Sequence, residues 1–321
     1  MIHTDMSLTT GPSEKGGSRR VPRLLGRAVR FGLYVAVFLG AAAILFSLLG
    51  AWSEPANSVA QFRHILIAGT VLASGLCFLS DRRVAITGLV CCAFGLADMP
   101  EILPVAETPS GETARVLQLN LRWTNTDFDA LKQMVAEEQP DVIALQEISM
   151  HNAGALDVLR DDYPSQIVCQ SSLVMSVAIL SKDAFLDPPK CKAHSGWVGA
   201  RVLFGDDEVT LISTHLHWPW PFGQKHQVNL MLDDLASLDG PFVVAGDFNA
   251  AAWTQSVRRI AETTGTQPIG GLRFTFRVSE LQLPLAIDHI LVPGGAADIR
   301  KLGTAGSDHN ASVADIALPR P

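Results

Sequence analysis

An apolar run, Phe242-Val243-Val244-Ala245, ends on Gly246-Asp247-Phe248-Asn249, and this stop constrains the fold more than any other stretch of the chain. Four consecutive apolar residues of this kind suit a buried strand. A carboxylate and an amide at the end of such a strand are costly to bury unpaired, yet they are the oxygen donors that a hard divalent cation accepts. Side chains two residues apart on an extended segment face one side, so Asp247 and Asn249 are expected to reach one cation or phosphate together. A polar turn is the plainer reading of the tetrapeptide alone. Recurrence decides between the two. The run Arg115-Val116-Leu117-Gln118-Leu119-Asn120 ends in an amide, Asp141 to Gln146-Glu147 ends in a carboxylate, and Val209 to Thr214-His215 ends in an imidazole. Near the C-terminus come Ile287-Asp288-His289-Ile290 and Ser307-Asp308-His309-Asn310. Apolar strands that each deliver an acid, amide or histidine at one end imply a single site at a sheet edge.

Taken in order, N…QE…TH…GDFN…DH…SDH resembles the endonuclease/exonuclease/phosphatase superfamily of metal-dependent phosphoesterases, over roughly Arg115 to Leu318. The resemblance implies an α/β fold: a four-layered α/β sandwich of two packed mixed sheets flanked by helices. It implies Mg²⁺ or Mn²⁺ as cofactor, with Glu147 the principal ligand, Asn120 beside it and Asp308 in reach. By the same resemblance Asp247 orients or deprotonates the attacking water, and Asn249 holds a phosphate oxygen. Asp288 orients His309, His309 contacts the scissile phosphate, and His215 donates to the phosphate or leaving group. Such a set meets the needs of phosphoryl hydrolysis, which are an activated water, an in-line approach and positive charge on the non-bridging oxygens. His289 reads as a packing or hydrogen-bonding residue. Two departures stand out. Several family nucleases carry an active-site tyrosine in mid-domain, whereas this chain has only Tyr34 and Tyr163. The acid that abasic-site endonucleases place two residues after the first Asn is Arg122 here. Both count against an abasic-site nuclease.

The front of the chain differs in kind. Only 18% of the residues are charged, and the mean hydropathy is +0.23, so part of the chain is expected in lipid. Phe31 to Ala51 carries no charge and matches the ~20 residues of a spanning helix. Shorter apolar runs follow from Ile65 and from Val84. Three transmembrane helices are expected, at 31–52, 64–80 and 84–103, after a basic cytoplasmic tail at 1–30. A linker at 105–114 then leads to the phosphoesterase domain at 115–321. Lys15, Arg19, Arg20, Arg23, Arg27 and Arg30 precede the first span, and Arg82 and Arg83 sit between the last two. Positive charge stays inside. The catalytic domain is therefore expected on the periplasmic or extracellular face of the cell membrane, anchored by a multi-pass segment.

Partners follow from charge and aromatics. From residue 106 onward there are 26 acidic against 16 basic residues, a net −10. Duplex binding rests largely on Lys and Arg at phosphates, so nucleic acid is the weaker expectation, and an exported nuclease is the alternative function. His217-Trp218-Pro219-Trp220-Pro221-Phe222 directly follows His215. His217, Trp218 and Trp220 are candidates for a substrate rim, although His217 alone reads as a solvent-facing histidine and the aromatics as core filler. On a membrane-tethered enzyme the same loop suits the lipid interface. Three spans, an outward domain and this loop resemble the bacterial membrane-bound members linked to glycopeptide-antibiotic resistance. That resemblance implies a polyprenyl pyrophosphate or another lipid-linked phosphate as substrate. Cys169 and Cys191 are either a disulfide or two buried thiols; Cys77, Cys91 and Cys92 lie in apolar segments. Strands are expected near 115–120, 142–146, 165–170, 173–181, 198–204, 208–214, 241–245, 273–277, 288–292 and 312–317. Helices are expected at 127–138, 153–160, 224–238 and 253–263.

Overall fold

The computed structural model describes residues 21–104, 113–171, 175–294 and 297–318. Four helices come first: α1 (Val21–Ser47), α2 (Glu54–Ala60), α3 (Arg63–Cys77) and α4 (Arg82–Ala97). Their bounds correct the expected spans. The first helix starts ten residues before Phe31 and stops at Ser47, where the chain turns through Gly50 and Trp52. The expected tail therefore contributes residues 21–30 to a helix, while residues 1–20 lie outside the described ones. Asp81 accepts hydrogen bonds from the Arg83 and Val84 amides and caps α4, as short acidic side chains do. Pro100–Ile102 forms a single 3₁₀ turn instead of extending the third span. Gly26–Ser47 is long and apolar enough to cross a membrane. Helices α3 and α4, with 15 and 16 residues, fall short of the ~20 residues of a full span; α2 and α3 reach that length only as a pair bent by 65°.

The helices α1, α3 and α4 pack together with their apolar side chains largely outward. Phe31, Phe38, Leu39, Leu72, Leu79 and Phe94 are exposed. The inner seam is lined by small groups: a Cβ on Gly40 would meet Thr70, and one on Gly88 would meet Ser74 and Val37. Glycines at such crossings let helix backbones approach closely. Buried Arg63 ties one end of the bundle, donating from Nη2 to the Ser47 carbonyl at 2.9 Å and from Nε to Ser47 Oγ at 2.8 Å, and pairing with Asp98.

The rest of the chain is the expected sandwich. Its strands are β1 (Ala114–Asn120), β2 (Val142–Ile148), β3 (Ser165–Cys169), β4 (Ser176–Ser181), β5 (Lys190–Lys192), β6 (Trp197–Phe204) and β7 (Asp207–His215). They continue as β8 (Phe242–Asp247), β9 (Thr266–Pro268), β10 (Arg277–Val278), β11 (Leu281–Gln282), β12 (Asp288–Pro293), β13 (Ala297–Lys301) and β14 (Ser312–Ile316). The helices are α5 (Phe128–Glu138), α6 (Gly154–Asp157), α7 (Gln224–Leu235) and α8 (Gln255–Thr264). One sheet runs β13-β14-β1-β2-β4-β3 and the other β5-β6-β7-β8-β12-β9. Each contains one parallel pair, β1 with β2 and β7 with β8. A parallel pair needs a crossover, and α5 and α7 supply it.

Alternation along the strands builds the layers. Val116, Val142, Ala144 and Ile179 of the first sheet meet Val209, Leu211, Val243 and Ile290 of the second in one buried core. The odd neighbours Leu117, Leu119, Ile143 and Leu145 face outward onto Leu131 and Val135 of α5. Ile212 and Val244 do the same onto Met231 of α7 and Ile260 of α8. Five departures from the expected elements are short or edge features. Helix α6 spans four residues rather than 153–160, residues 273–277 supply only the start of the β10–β11 hairpin, and β5, β9 and β13 are additional edge strands. Cys169 and Cys191 form a disulfide that joins edge strand β3 of one sheet to edge strand β5 of the other.

The helical end closed by Arg63 docks on the sandwich. Arg258 of α8 reaches Asp98 and Glu101, and Met99 packs with Ala251 and Trp253. The expected linker thus begins only after the docked Pro100–Ile102 turn, and residues 105–112 lie outside the described ones.

Candidate active site

The site assembles from strand ends in register. His215 on β7 lies beside Asp247 on β8, and Asp247 beside Asp288 on β12. On the facing sheet Gln118 and Asn120 of β1 share the inward side, and Asn120 pairs with Gln146 of β2. Alternation alone would turn Glu147 outward, because Gln146 already faces in. A β-bulge between Gln146 and Ile148 and a φ of +58° at Glu147 turn it into the site. Bulges re-aim side chains in this way beside functional sites. Asn249 also departs from the extended geometry expected of it: it lies past the strand at φ +46°, and its own amide donates to Asp247 Oδ1 at 2.8 Å. The two side chains meet through a turn, not through a common strand face.

One amide knits the carboxylates together. Asn120 Nδ2 donates to Glu147 Oε1 at 3.0 Å and to Asp247 Oδ2 at 2.9 Å, while its Oδ1 accepts from the Arg122 amide at 2.9 Å. Glu147 Oε2 accepts from the Trp123 amide at 2.9 Å. His309 Nδ1 lies 2.8 Å from Asp288 Oδ2, and Nε2 on the other side of the ring lies 3.8 Å from Asp247 Oδ2. His215 Nε2 is 3.5 Å from the same Asp247 oxygen and 3.4 Å from Asn249 Nδ2. Asp308 sits at the rim, 3.8 Å from Arg122 Nε. His289 is buried, bonds the Ala250 carbonyl at 2.8 Å and stacks edge-on against Phe248, a packing role as the sequence implies. His217, Trp218 and Trp220 are exposed on the loop after β7. Trp218 packs edge-on against Phe276, 6.1 Å between ring centres.

Beneath these groups runs a polar ladder that sequence reasoning missed. Gln118 Nε2 donates to Asp288 Oδ1 at 3.0 Å and to Gln146 Oε1 at 2.9 Å, and Gln146 Nε2 donates across to Ser213 Oγ on the other sheet at 3.0 Å. All three are fully buried. The signal was present: Gln118 lies two residues before Asn120, on the same strand face. Trp123, Met175 and Phe276, which line the cleft with the groups above, carry no comparable signal.

Burial sets the charge states. Burial and the nearby Asp288 carboxylate push Asp247 up to about 7. Burial opposes charge on His309, but Asp288 and Asp247 outweigh it and push the imidazole up to about 10. Burial likewise disfavours ionised Asp288, yet the His309 charge and hydrogen bond hold it below the usual carboxylate range. Burial pulls His215 down to about 4 against the attraction of Glu147. At neutral pH the site therefore holds an Asp288–His309 ion pair, a neutral His215 and an Asp247 poised to exchange a proton. Ligand atoms of Asp247, Asp288 and His309 lie within 4.8 Å of one another, but a protonated His309 offers two N–H donors and no lone pair to a cation.

The groups open into a cleft of about 570 Å³. A family profile described as the endonuclease/exonuclease/phosphatase family matches residues 117–309, the whole span that carries these groups. The chain belongs to this family. Solved structures of similar fold include the endonuclease/exonuclease/phosphatase from Bacteroides vulgatus, 16% identical, covering 65% of this chain and 100% of that one at a TM-score of 0.53. The human Nocturnin catalytic domain with bound sulfate anion is 15% identical, covering 68% of this chain and 98% of that one, at a TM-score of 0.54. A D. rerio TDP2 complexed with single strand DNA product is 18% identical, covering 65% and 100%, at a TM-score of 0.52. At these identities the likeness shows the fold. No curated protein matches the sequence.

Proposed function

We propose that this chain is a membrane-anchored, Mg²⁺- or Mn²⁺-dependent phosphoesterase that hydrolyses a phosphoester or phosphoanhydride of a lipid-linked substrate on the outer face of the membrane. The observation that carries the reading is where the cleft opens. Its rim bears Trp218, Phe222 and Trp123, and Trp220 beside them is tied to α2 through Ser58 Oγ, 3.2 Å from its carbonyl. Helix α2 lies at the end of the bundle where Ser47, Arg63 and Asp98 meet, so the loop that carries Trp218, Trp220 and Phe222 sits at the mouth on the side where a bilayer surface would lie. The apolar exterior of all three long helices and their glycine-lined seams support a bundle embedded as three passes. The basic Arg82 and Arg83, at the opposite end, support an inner-face turn there. The disulfide supports an oxidising compartment for the sandwich.

Glu147, Asp247 and Asp288 put three carboxylates against the one imidazolium of His309, a surplus of negative charge that suits a divalent cation. Glu147 would hold it with Asp308 at the rim, and Asn120, whose amide nitrogen bonds Glu147 and Asp247, would steer both carboxylates toward it. When bound, such a cation polarises the phosphoryl group and neutralises its oxygens. The chain's own groups do the rest. Asp247 holds and deprotonates the attacking water, and the Asp288–His309 pair presents a positive N–H to a phosphate oxygen. Asn249 and His215 hold the remaining oxygens or the leaving group. Among the described residues lining the cleft, Arg122 is the one Lys or Arg, which favours a lipid phosphate over nucleic acid. The test is phosphate release by the full-length protein from polyprenyl diphosphates, soluble sugar phosphates and plasmid DNA, with Mg²⁺ or chelator. Turnover of the lipid alone is expected; cleavage of plasmid without lipid turnover would replace this reading with the nuclease.

A further inference from the structure

Asp247 and Asn249 head a stretch, Ala250-Ala251-Ala252-Trp253, in which each residue is buried. Three alanines offer this loop few side-chain anchors, and its buried backbone groups need partners. His289 serves the Ala250 carbonyl and Thr254 the Ala251 carbonyl; the remaining partners come from the segment Asn57–Gln61, which lies before the sandwich and wholly outside residues 117–309 that match the family. The Ala251 amide donates to Gln61 Oε1. Trp253 Nε1 donates to the Ala60 carbonyl at 2.7 Å, and the Gln255 amide donates to Asn57 Oδ1 at 2.8 Å. A relay then leads inward: Asn57 Nδ2 donates to Ser256 Oγ at 3.3 Å, and Ser256 Oγ to Gln224 Oε1 at 2.6 Å. Gln224 Nε2 donates in turn to the Phe248 carbonyl at 3.0 Å and the His217 carbonyl at 2.6 Å. Gln61 and Gln224 are both almost fully buried. One five-residue segment thus grips the loop after Asp247 directly and the loop after His215 through a relay.

We infer that Asn57 and Gln61 are positioning residues of the active site: the helical region sets the backbone of the two loops that carry Asp247, Asn249 and His215. The inference rests on the catalytic assignment of those three groups. Sub-ångström placement is what such groups need, so support from outside the domain has a measurable consequence for rate.

The test uses full-length protein in detergent micelles, with bis(p-nitrophenyl) phosphate and Mn²⁺ as the probe. Gln61→Ala and Asn57→Ala are compared with Glu101→Ala, which weakens the same seam at Arg258 but touches neither loop. In Gln61→Ala, kcat is expected to fall on the order of tenfold to a hundredfold, as loop misplacement does, with KM unchanged. Gln61→Glu retains an acceptor for the Ala251 amide and is expected to recover kcat; Glu101→Ala is expected to keep it. Amide exchange gives a readout that needs no substrate: peptides covering 247–253 should exchange faster in Gln61→Ala and Asn57→Ala, those covering 215–222 faster in Asn57→Ala, and neither in Glu101→Ala. Wild-type protein that hydrolyses no phosphate ester would sink the catalytic reading, leaving the exchange result to decide the brace. Unchanged exchange in both loops, or an equal loss of kcat in Glu101→Ala, overturns the inference.

Discussion

The disulfide between Cys169 and Cys191 offers the sharpest quantitative check. It closes a segment of 22 residues, and in the chain-entropy account cross-linking a loop of that length removes about 11 cal/mol/K from the unfolded ensemble, or about 3 kcal/mol at 25 °C. Cys169 sits in the core between the sheets, while Cys191 lies on an exposed edge strand, so the bond joins two sheet edges that no backbone hydrogen bonds connect. Replacing both with alanine avoids burying a new hydroxyl beside Val177 and Val198. The double variant is expected to lose about 3 kcal/mol in guanidinium unfolding followed by tryptophan fluorescence. For a sandwich of roughly 200 residues this corresponds to a Tm lower by about 6–12 °C. Reducing wild-type protein with dithiothreitol should reproduce the shift, and the alanine variant should ignore the reductant. A wild-type melt indifferent to reductant, or two alkylatable thiols in protein from the native compartment, would refute both the bond and the oxidising location it supports.

Other outcomes follow from the same geometry. Glu147→Gln, Asp247→Asn and His309→Ala are each expected to lower kcat by about a hundredfold or more with an unchanged circular dichroism spectrum; full activity in any of them rejects its role. Chelated protein should show a pH signature of the buried ion pair. His309 titrates near 10 folded against ~6.5 unfolded, so its contribution is whole below the unfolded value and fades as pH rises through about 10; His309→Gln should flatten that alkaline decline in Tm. In the bundle, Gly88→Val should destabilise by about 1–3 kcal/mol through overpacking against Ser74 and Val37, whereas Gly75→Val, whose Cβ meets nothing within 4 Å, should be near neutral in a detergent melt. In vesicle-reconstituted protein, Trp220→Ala/Phe222→Ala should raise KM for a lipid-linked phosphate by roughly tenfold or more, given the apolar area removed, and leave KM for a soluble phosphate ester unchanged; an unaltered lipid KM argues against an interfacial rim.

Much of the site was legible because its groups sit at strand ends, where a run of Val, Ile and Ala gives way to one polar letter. Asp247, Asp288 and His215 follow that rule and share one row of the sheet. Glu147 breaks it: parity sends its side chain to the wrong face, and only a bulge, which has no letter in Gln146-Glu147-Ile148, returns it. Asn249 likewise depends on a left-handed backbone that its neighbours enforce. The edge strands β5, β9 and β13 are short and partly exposed, so their apolar signal is weak. The docking of the helical segment was illegible for a different reason. Asn57, Gln61 and Arg258 are polar residues whose partners lie far along the chain, and pattern reading sees only neighbours.

The ladder of Gln118, Gln146 and Ser213 has a consequence for how such a chain can diversify. Because it bolts the two halves of the floor to each other, nothing can enter by prying them apart; whatever is bound must arrive, and leave, over the lip. Choice of cargo is thereby left to the lip, above all to the exposed aromatic residues that follow His217.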